Sequence, residues 1–298
     1  MLARRALSYL AWPLLIGQSL ALTAWAIHTR AMEPELAAAI GALLSGAGCF
    51  ALERVIPFEP EWRVAKGDTG TDVLHAVLGV AIAPALIRGL CLGSLVRASR
   101  ALASMAGRAE SLWPTRWPLA AQLALALLVS ELGGYAVHRA QHRSARLWPV
   151  HAIHHDAPRV YFFNGARLHF CDTAMTLVAA IFPLILLGVP ADVLALLSAV
   201  AGAHLPLQHA NADLRFGVLE YVVSAPTLHR WHHSRDPREG ESNYGGLLIV
   251  WDLVFGTYLN PRDRRPPKDV GLYAGEAVAR EWWKQLVAPL RALMFARR

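Results

Sequence analysis

Three short stretches hold eight histidines. "HRAQH" carries His138 and His142, "HAIHH" carries His151, His154 and His155, and "HRWHH" carries His229, His232 and His233. Eleven of the thirteen histidines fall between positions 138 and 233. On a helix, residues three and four apart share a face, so each stretch is expected to aim its imidazoles at a single point. Neutral imidazole binds zinc, copper, iron or nickel through a ring nitrogen. Eight nitrogens from three helices exceed what one ion uses and suit two. A lone histidine is ordinarily a surface or hydrogen-bonded residue, and His28 and His75 fit that description. Two copies of H-x-x-H-H beside apolar segments do not. Cys49, Cys91 and Cys171 form no C-x-x-C pair. Disulfide frameworks, iron–sulfur clusters and structural Cys–zinc sites are therefore not expected. Imidazole donors alone leave iron, zinc and manganese open.

These groups need elements to hold them. The chain of 298 residues is 55% hydrophobic and 17% charged, below the roughly 25% charge usual for a soluble domain. Its apolar residues form runs at 6–27, 35–52, 72–96, 119–137, 172–188 and 191–207, near the roughly 20 residues a membrane helix needs. The first run contains "AWA", like a signal-peptidase site. It exceeds the usual ~7–15-residue signal core and another run follows, so it reads as an uncleaved span. Pro84 is expected to break the third run. Residues 97–118, with four arginines and "WPTRWP", read as interfacial, with tryptophan at headgroup level. From 211 onward the chain is polar, aromatic and arginine-rich, a cap on one face. The fold class is all-α: an integral membrane helical bundle with a cytoplasmic His-rich metal-binding cap. Three sections are expected: a membrane hairpin at 1–52, a catalytic unit at 53–260 and a cytoplasmic tail at 261–298. The net charge of +7 forms no basic stripe on a polar fold, so nucleic acid is not an expected partner. Arg4 and Arg5 argue for a cytoplasmic N-terminus, and four spans would return the chain there at His138. The four arginines at 97–116 then stand on the far side, against the positive-inside tendency, unless the third segment dips and returns.

The combined pattern resembles the fatty acid hydroxylase / sterol desaturase superfamily, integral membrane oxygenases with a histidine-rich di-iron centre. The resemblance runs over about 53–258. "HRAQH" is similar to the family's first box, "HAIHH" to its second and "HRWHH" to its third. "QHAN" resembles an intermediate histidine and adds His209. "RLHF" and "NYGGLLIVWDLVFGTY" are also similar to bacterial members. Some members place a further histidine four residues before the intermediate one. Leu205 stands there in this chain, and the neighbouring His204 is counted with the other nine as a candidate ligand. No catalytic residue is expected beyond the metal ligands.

Six further residues are expected to support the ligands. Glu131, Tyr135, His138 and His142 share a helix face. A carboxyl inside an apolar span is costly without a partner, so Glu131 should accept an N–H from a ligand imidazole, the alternative being a protonated carboxyl bonded to nearby backbone. Asp156 and Asp236 follow their boxes and either do the same or cap helices and pair with arginine. His169 and Asn211 complete the set, and Asn243 and Tyr244 are further polar neighbours. The resemblance implies two iron ions, with zinc an alternative occupant as purified. It implies hydroxylation or desaturation of a C–H bond of a membrane lipid by dioxygen. Electrons would come from an external ferredoxin or cytochrome-type donor, since neither G-x-G-x-x-G nor C-x-x-C-H is present. The expected location is a bacterial inner membrane or an ER-like one, with the metal site on the cytoplasmic side. The alternatives are a metal transporter or sensor, and a zinc enzyme on the same scaffold. A transporter places ionisable residues along a path through the membrane, whereas here only Glu131 lies clearly inside a span.

Overall fold

Apolar runs of this length satisfy their own backbone hydrogen bonds in lipid only as helices. The computed structural model describes residues 2–109 and 111–295, and among them no β-strand occurs. The principal helices are α1 (Leu2–Thr29), α2 (Pro34–Val55), α3 (Thr69–Met105), α4 (Leu119–Arg143), α5 (Trp148–His155), α6 (Phe170–Leu187), α7 (Ala191–His209), α8 (Pro226–His232), α9 (Val250–Phe255) and α10 (Trp282–Phe295). Six of them, α1–α4, α6 and α7, are long and apolar enough to cross a membrane. The protein is an all-helical, multi-pass membrane bundle, as the sequence implies.

Two boundaries differ from the sequence reading for physical reasons. Pro84 does not break α3. The turn before it widens into a π-helical stretch at Ala76–Ile82, a common way for a helix to absorb a proline. The helix then continues past Arg97 and Arg100 to Met105. Trp113 is not an interfacial anchor: it is 1% exposed, and its Nε1–H donates to Gln122 Oε1 at 3.0 Å. Trp117, its partner in "WPTRWP", is exposed.

Small residues set the helix contacts, as expected where lipid offers no drive for association. Ser19 Oγ of α1 donates to the Ala199 carbonyl of α7. The backbone of Gly41 in α2 lies against Ser19, and Gly202 in α7 lies against Ala42. α1 and α2 are thus packed onto α7, which ends on His209. α4 and α6 cross where Gly133 meets the Ala179 carbonyl.

The ends of α2, α4 and α7 and the starts of α3 and α6 gather at one end of the bundle. Glu53 Oε1 accepts from the N–H groups of Phe162 (2.7 Å) and Asn211 (2.9 Å) there, and Tyr161 OH donates to Asp72 at 2.5 Å. The cap covers this end. Isolated bridges Pro57–Ala212, Val223–Leu248 and Ser234–Val270 stitch its loops. α10 is tied back by His75 Nε2 donating to Gln285 Oε1 (2.9 Å) and His169 Nε2 donating to the Leu286 carbonyl (3.1 Å).

Candidate metal centre

Four helices deliver nine imidazoles to this end. α4 continues six residues beyond its apolar run and carries His138 and His142 on its last turns. α5 carries His151, His154 and His155, α7 ends on His209, and α8 carries His229 and His232 with His233 directly after it. They form two groups. His138, His142, His151, His155 and His232 make the first, and His154, His209, His229 and His233 the second. Within each group the ligand atoms all lie within 4.8 Å of one another.

The H-x-x-H-H stretches do not each aim at one point. In α5 the i, i+4 pair His151 and His155 joins the first group and His154 the second. In α8 the assignment reverses: His229 and His233 join the second group and His232 the first. The i+3 residue lies about 100° from the i+4 residue around the helix, enough to reach the neighbouring group. Each helix therefore serves both groups.

Hydrogen bonds fix which nitrogen faces inward. His138 Nδ1 donates to the Tyr244 carbonyl (2.7 Å), His232 Nδ1 to the Ser242 carbonyl (2.7 Å) and His209 Nδ1 to the Leu205 carbonyl (3.3 Å). His151 Nδ1 donates to Asp172 Oδ2 at 2.8 Å, and His142 Nδ1 approaches Glu241 Oε1 at 3.4 Å. An imidazole whose Nδ1 carries the proton presents a bare lone pair at Nε2. The Nε2 atoms of His138, His142 and His151 are buried and have no hydrogen-bond partner. In the second group His209 Nε2 lies 2.8 Å from His229 Nε2 and 3.2 Å from His154 Nε2, and His229 Nε2 lies 3.0 Å from His233 Nε2.

Burial, and then the neighbouring imidazoles, hold His154, His155, His229, His232 and His233 well below the usual histidine range. They are neutral at physiological pH, the form that ligates a metal. Converging, buried lone pairs without donors are costly. A cation in each group would remove that cost. Ligand nitrogens sit about 2.1 Å from an ion and hence at most about 4.2 Å apart, so groups of this spread close readily on one ion each. The residues fit a two-metal centre.

His204 belongs to neither group. Its Nδ1 accepts from Trp12 Nε1–H at 2.9 Å and its Nε2 donates to the Ser224 carbonyl at 3.0 Å, so both nitrogens hold α1 and the cap loop to α7. His169 caps α6, its Nδ1 accepting from the Cys171 N–H, while its Nε2 engages α10.

The other five supporting positions bind elsewhere than to an imidazole. Glu131 accepts the backbone N–H groups of Gly246 (2.5 Å) and Leu247 (2.9 Å). Asp252 accepts those of Tyr244 and Gly245, each at 2.8 Å. Two carboxylates thus hold four consecutive N–H groups and fix the loop whose Tyr244 carbonyl orients His138. Tyr135 hydrogen-bonds Thr257 and packs edge-on against Tyr244. Asp156 pairs with Arg167 (2.8 Å). Asp236 caps the short turn after it and pairs with Arg238. Asn211 binds the backbone of Glu59 through its carbonyl and its amide.

The carboxylates that do meet ligand imidazoles, Asp172 and Glu241, escape the sequence reading. Asp172 leaves a signal, an acid at the start of an apolar span. Glu241, in a polar loop, leaves none.

Comparison with known proteins converges on the same stretch of chain. The fatty acid hydroxylase family profile matches residues 123–257, which include all nine imidazoles. Ornithine lipid hydroxylase OlsE of Rhizobium tropici is 38% identical over 240 residues, covering 80% of this chain and 70% of that protein. Alkylglycerol monooxygenase of Danio rerio is 32% identical over 142 residues, covering 47% of this chain and 31% of that protein. The Homo sapiens protein of the same name is 27% identical over 140 residues, covering 45% and 29%. No solved structure matches significantly.

Proposed function

This chain belongs to the fatty acid hydroxylase / sterol desaturase superfamily, and from that premise we propose that it is a di-iron hydroxylase of a polar membrane lipid. The reaction inserts one oxygen atom of dioxygen into a C–H bond. The other leaves as water, with two electrons from an external ferredoxin or cytochrome-type donor and two protons. Hydroxylation is favoured over desaturation because the relatives are named as a hydroxylase and monooxygenases. An amino-acid-headed lipid of the ornithine-lipid class is the first substrate to try, because that relative matches most of this chain.

The observation that carries this reading is the pair of imidazole groups with inward-facing nitrogens. His138, His142, His151, His155 and His232 would hold one iron, and His154, His209, His229 and His233 the other. The bound irons supply dioxygen activation and the power to take hydrogen from an unactivated C–H bond. The chain's own residues do the rest. Asp172, Glu241 and the carbonyls of Tyr244, Ser242 and Leu205 orient the ligands. Trp148 lies 4.9 Å from the His142 ring and stacks on Tyr273, walling off water on the cap side. His138 is the one imidazole of the nine that is not buried. One turn before it, Gly134 faces open space. The lipid would approach along this side of α4, without leaving the bilayer.

The test is metal analysis of protein purified without chelators, combined with turnover under labelled dioxygen and a ferredoxin reductase system. Two irons per chain, and a lipid that gains one labelled oxygen atom, are expected. Zinc alone with no oxygen consumption under any reductant would overturn the proposal. So would a deletion strain with an unchanged lipid profile and altered metal content.

A further inference from the structure

A cavity of about 520 Å³ lies between α3, α6 and α7. Leu92, Leu177, Ile181 and Leu194 form its apolar wall, and Arg88, Arg100 and Glu35 line it. It does not open on the imidazoles. On α6 the cavity-facing residues Leu177, Ile181 and Ile185 recur every four positions. Asp172, which holds His151, lies nine residues from Ile181, about 180° around the helix. α6 therefore stands between the cavity and the metal groups.

The depth of Arg88 follows from two close contacts. Gly79 of α3 lies against the Leu168 carbonyl at the metal-bearing end, and Gly188 lies against Ser99 at the other. From 79 to 99, and from 168 to 188, is 20 residues, or about 30 Å of helix, the thickness of the hydrocarbon layer. Arg88 is nine residues from the first level and eleven from the second, about 14 Å and 16 Å. It sits near mid-membrane, exposed on the helix surface, and among the described residues no carboxylate pairs with it. A cation there without a counter-charge is costly and marks a binding role.

We propose that this cavity binds one anionic glycerophospholipid, its phosphate held between Arg88 and Arg100 and an acyl chain along the apolar wall. The two α-carbons are about 18 Å apart along α3. Both side chains line the one cavity, and their length lets them reach along the helix toward a shared anion. Two guanidiniums against the single carboxylate of Glu35 leave one positive charge, the complement of a singly anionic headgroup. A free phosphate would not use the apolar wall. The site is independent of the hydroxylase reading, because it shares no residue with the imidazole groups.

The test is thermal unfolding of the detergent-purified full chain with dioleoyl phosphatidylglycerol or dioleoyl phosphatidylcholine. Phosphatidylglycerol should raise the midpoint by about 3 °C or more, and phosphatidylcholine by less than about 1 °C. The double variant R88Q/R100Q should lose most of the phosphatidylglycerol response with its metal content unchanged. Leu177→Trp, which fills the cavity and keeps both arginines, should lose it as well. Native mass spectrometry should find one retained phosphatidylglycerol in the wild type and none in either variant. Equal shifts with the two lipids, or an unaltered response in both variants, would overturn the proposal.

Discussion

Asp172 and His204 show how little residue type says about role at this depth. Both sit in apolar spans, both are buried and both are hydrogen-bonded. Asp172 accepts from His151 Nδ1 and so decides which nitrogen of that ring faces its group. His204 spends both nitrogens on Trp12 and Ser224 and decides how α1 sits on α7. Asp172→Ala leaves the His151 ring free to turn, and loss of such a partner weakens metal binding about 10–100-fold. His204→Ala leaves two partners unpaired, at a cost of about 1–3 kcal/mol each, and should lower the unfolding midpoint while both metals remain. Titration of the apoproteins with iron(II), alongside thermal unfolding, separates the two cases. If His204→Ala loses a metal, or Asp172→Ala binds as the wild type does, these roles are reversed. Glu131 is a third case. Its burial demands partners, and it finds them in the Gly246 and Leu247 backbone rather than in an imidazole.

At the scale of elements, position in a helix matters more than position in a motif. Most of the bundle is legible in the sequence, because six apolar runs specify six helices and a proline stands three to seven residues after each histidine stretch. The division of α5 and α8 between two groups is not, since it depends on how the two helices cross and not on their spacing. The contact of α4 with α6 is equally hidden. Gly133 and Gly134 look alike in "ELGGYAV", yet a Cβ at Gly133 would collide with the Ala179 carbonyl, whereas one at Gly134 meets nothing within 4 Å. That crossing sets His138 and His142 on α4 against Asp172 and His151. Gly133→Ala should therefore force the helices apart, lower the unfolding midpoint by several degrees and reduce occupancy of the first metal group. Gly134→Ala should leave both unchanged, and may be made in the same background as an internal control. Equal behaviour of the two variants, read by unfolding and metal content, would show that the α4–α6 approach does not position the site.

For the whole molecule the remaining question is which side of the membrane the metal groups face. An even number of crossings puts the start of α1 and the whole cap on one side. That side also carries Arg63, Lys66, Arg146, Arg159 and the many arginines after 211, whereas the connection after α3 holds Arg108 and Arg116. The positive-inside tendency then predicts that the cap faces the cytoplasm. The four arginines from 97 to 116 no longer stand against this. Arg97 and Arg100 belong to the helix itself, and the basic excess on the cap side is larger. In a chain with Cys91 and Cys171 changed to serine, a cysteine at Arg262, exposed on the cap and paired with Glu220, should resist an impermeant maleimide in intact cells and react after lysis. A cysteine at Arg108, exposed in the far connection, should react in intact cells once the outer barrier is opened. If the two labels exchange places, the site faces outward and cannot draw electrons from a cytoplasmic donor. If both react only after lysis, an even number of crossings separates Arg108 from Arg262, and one of α4, α6 and α7 does not span the membrane.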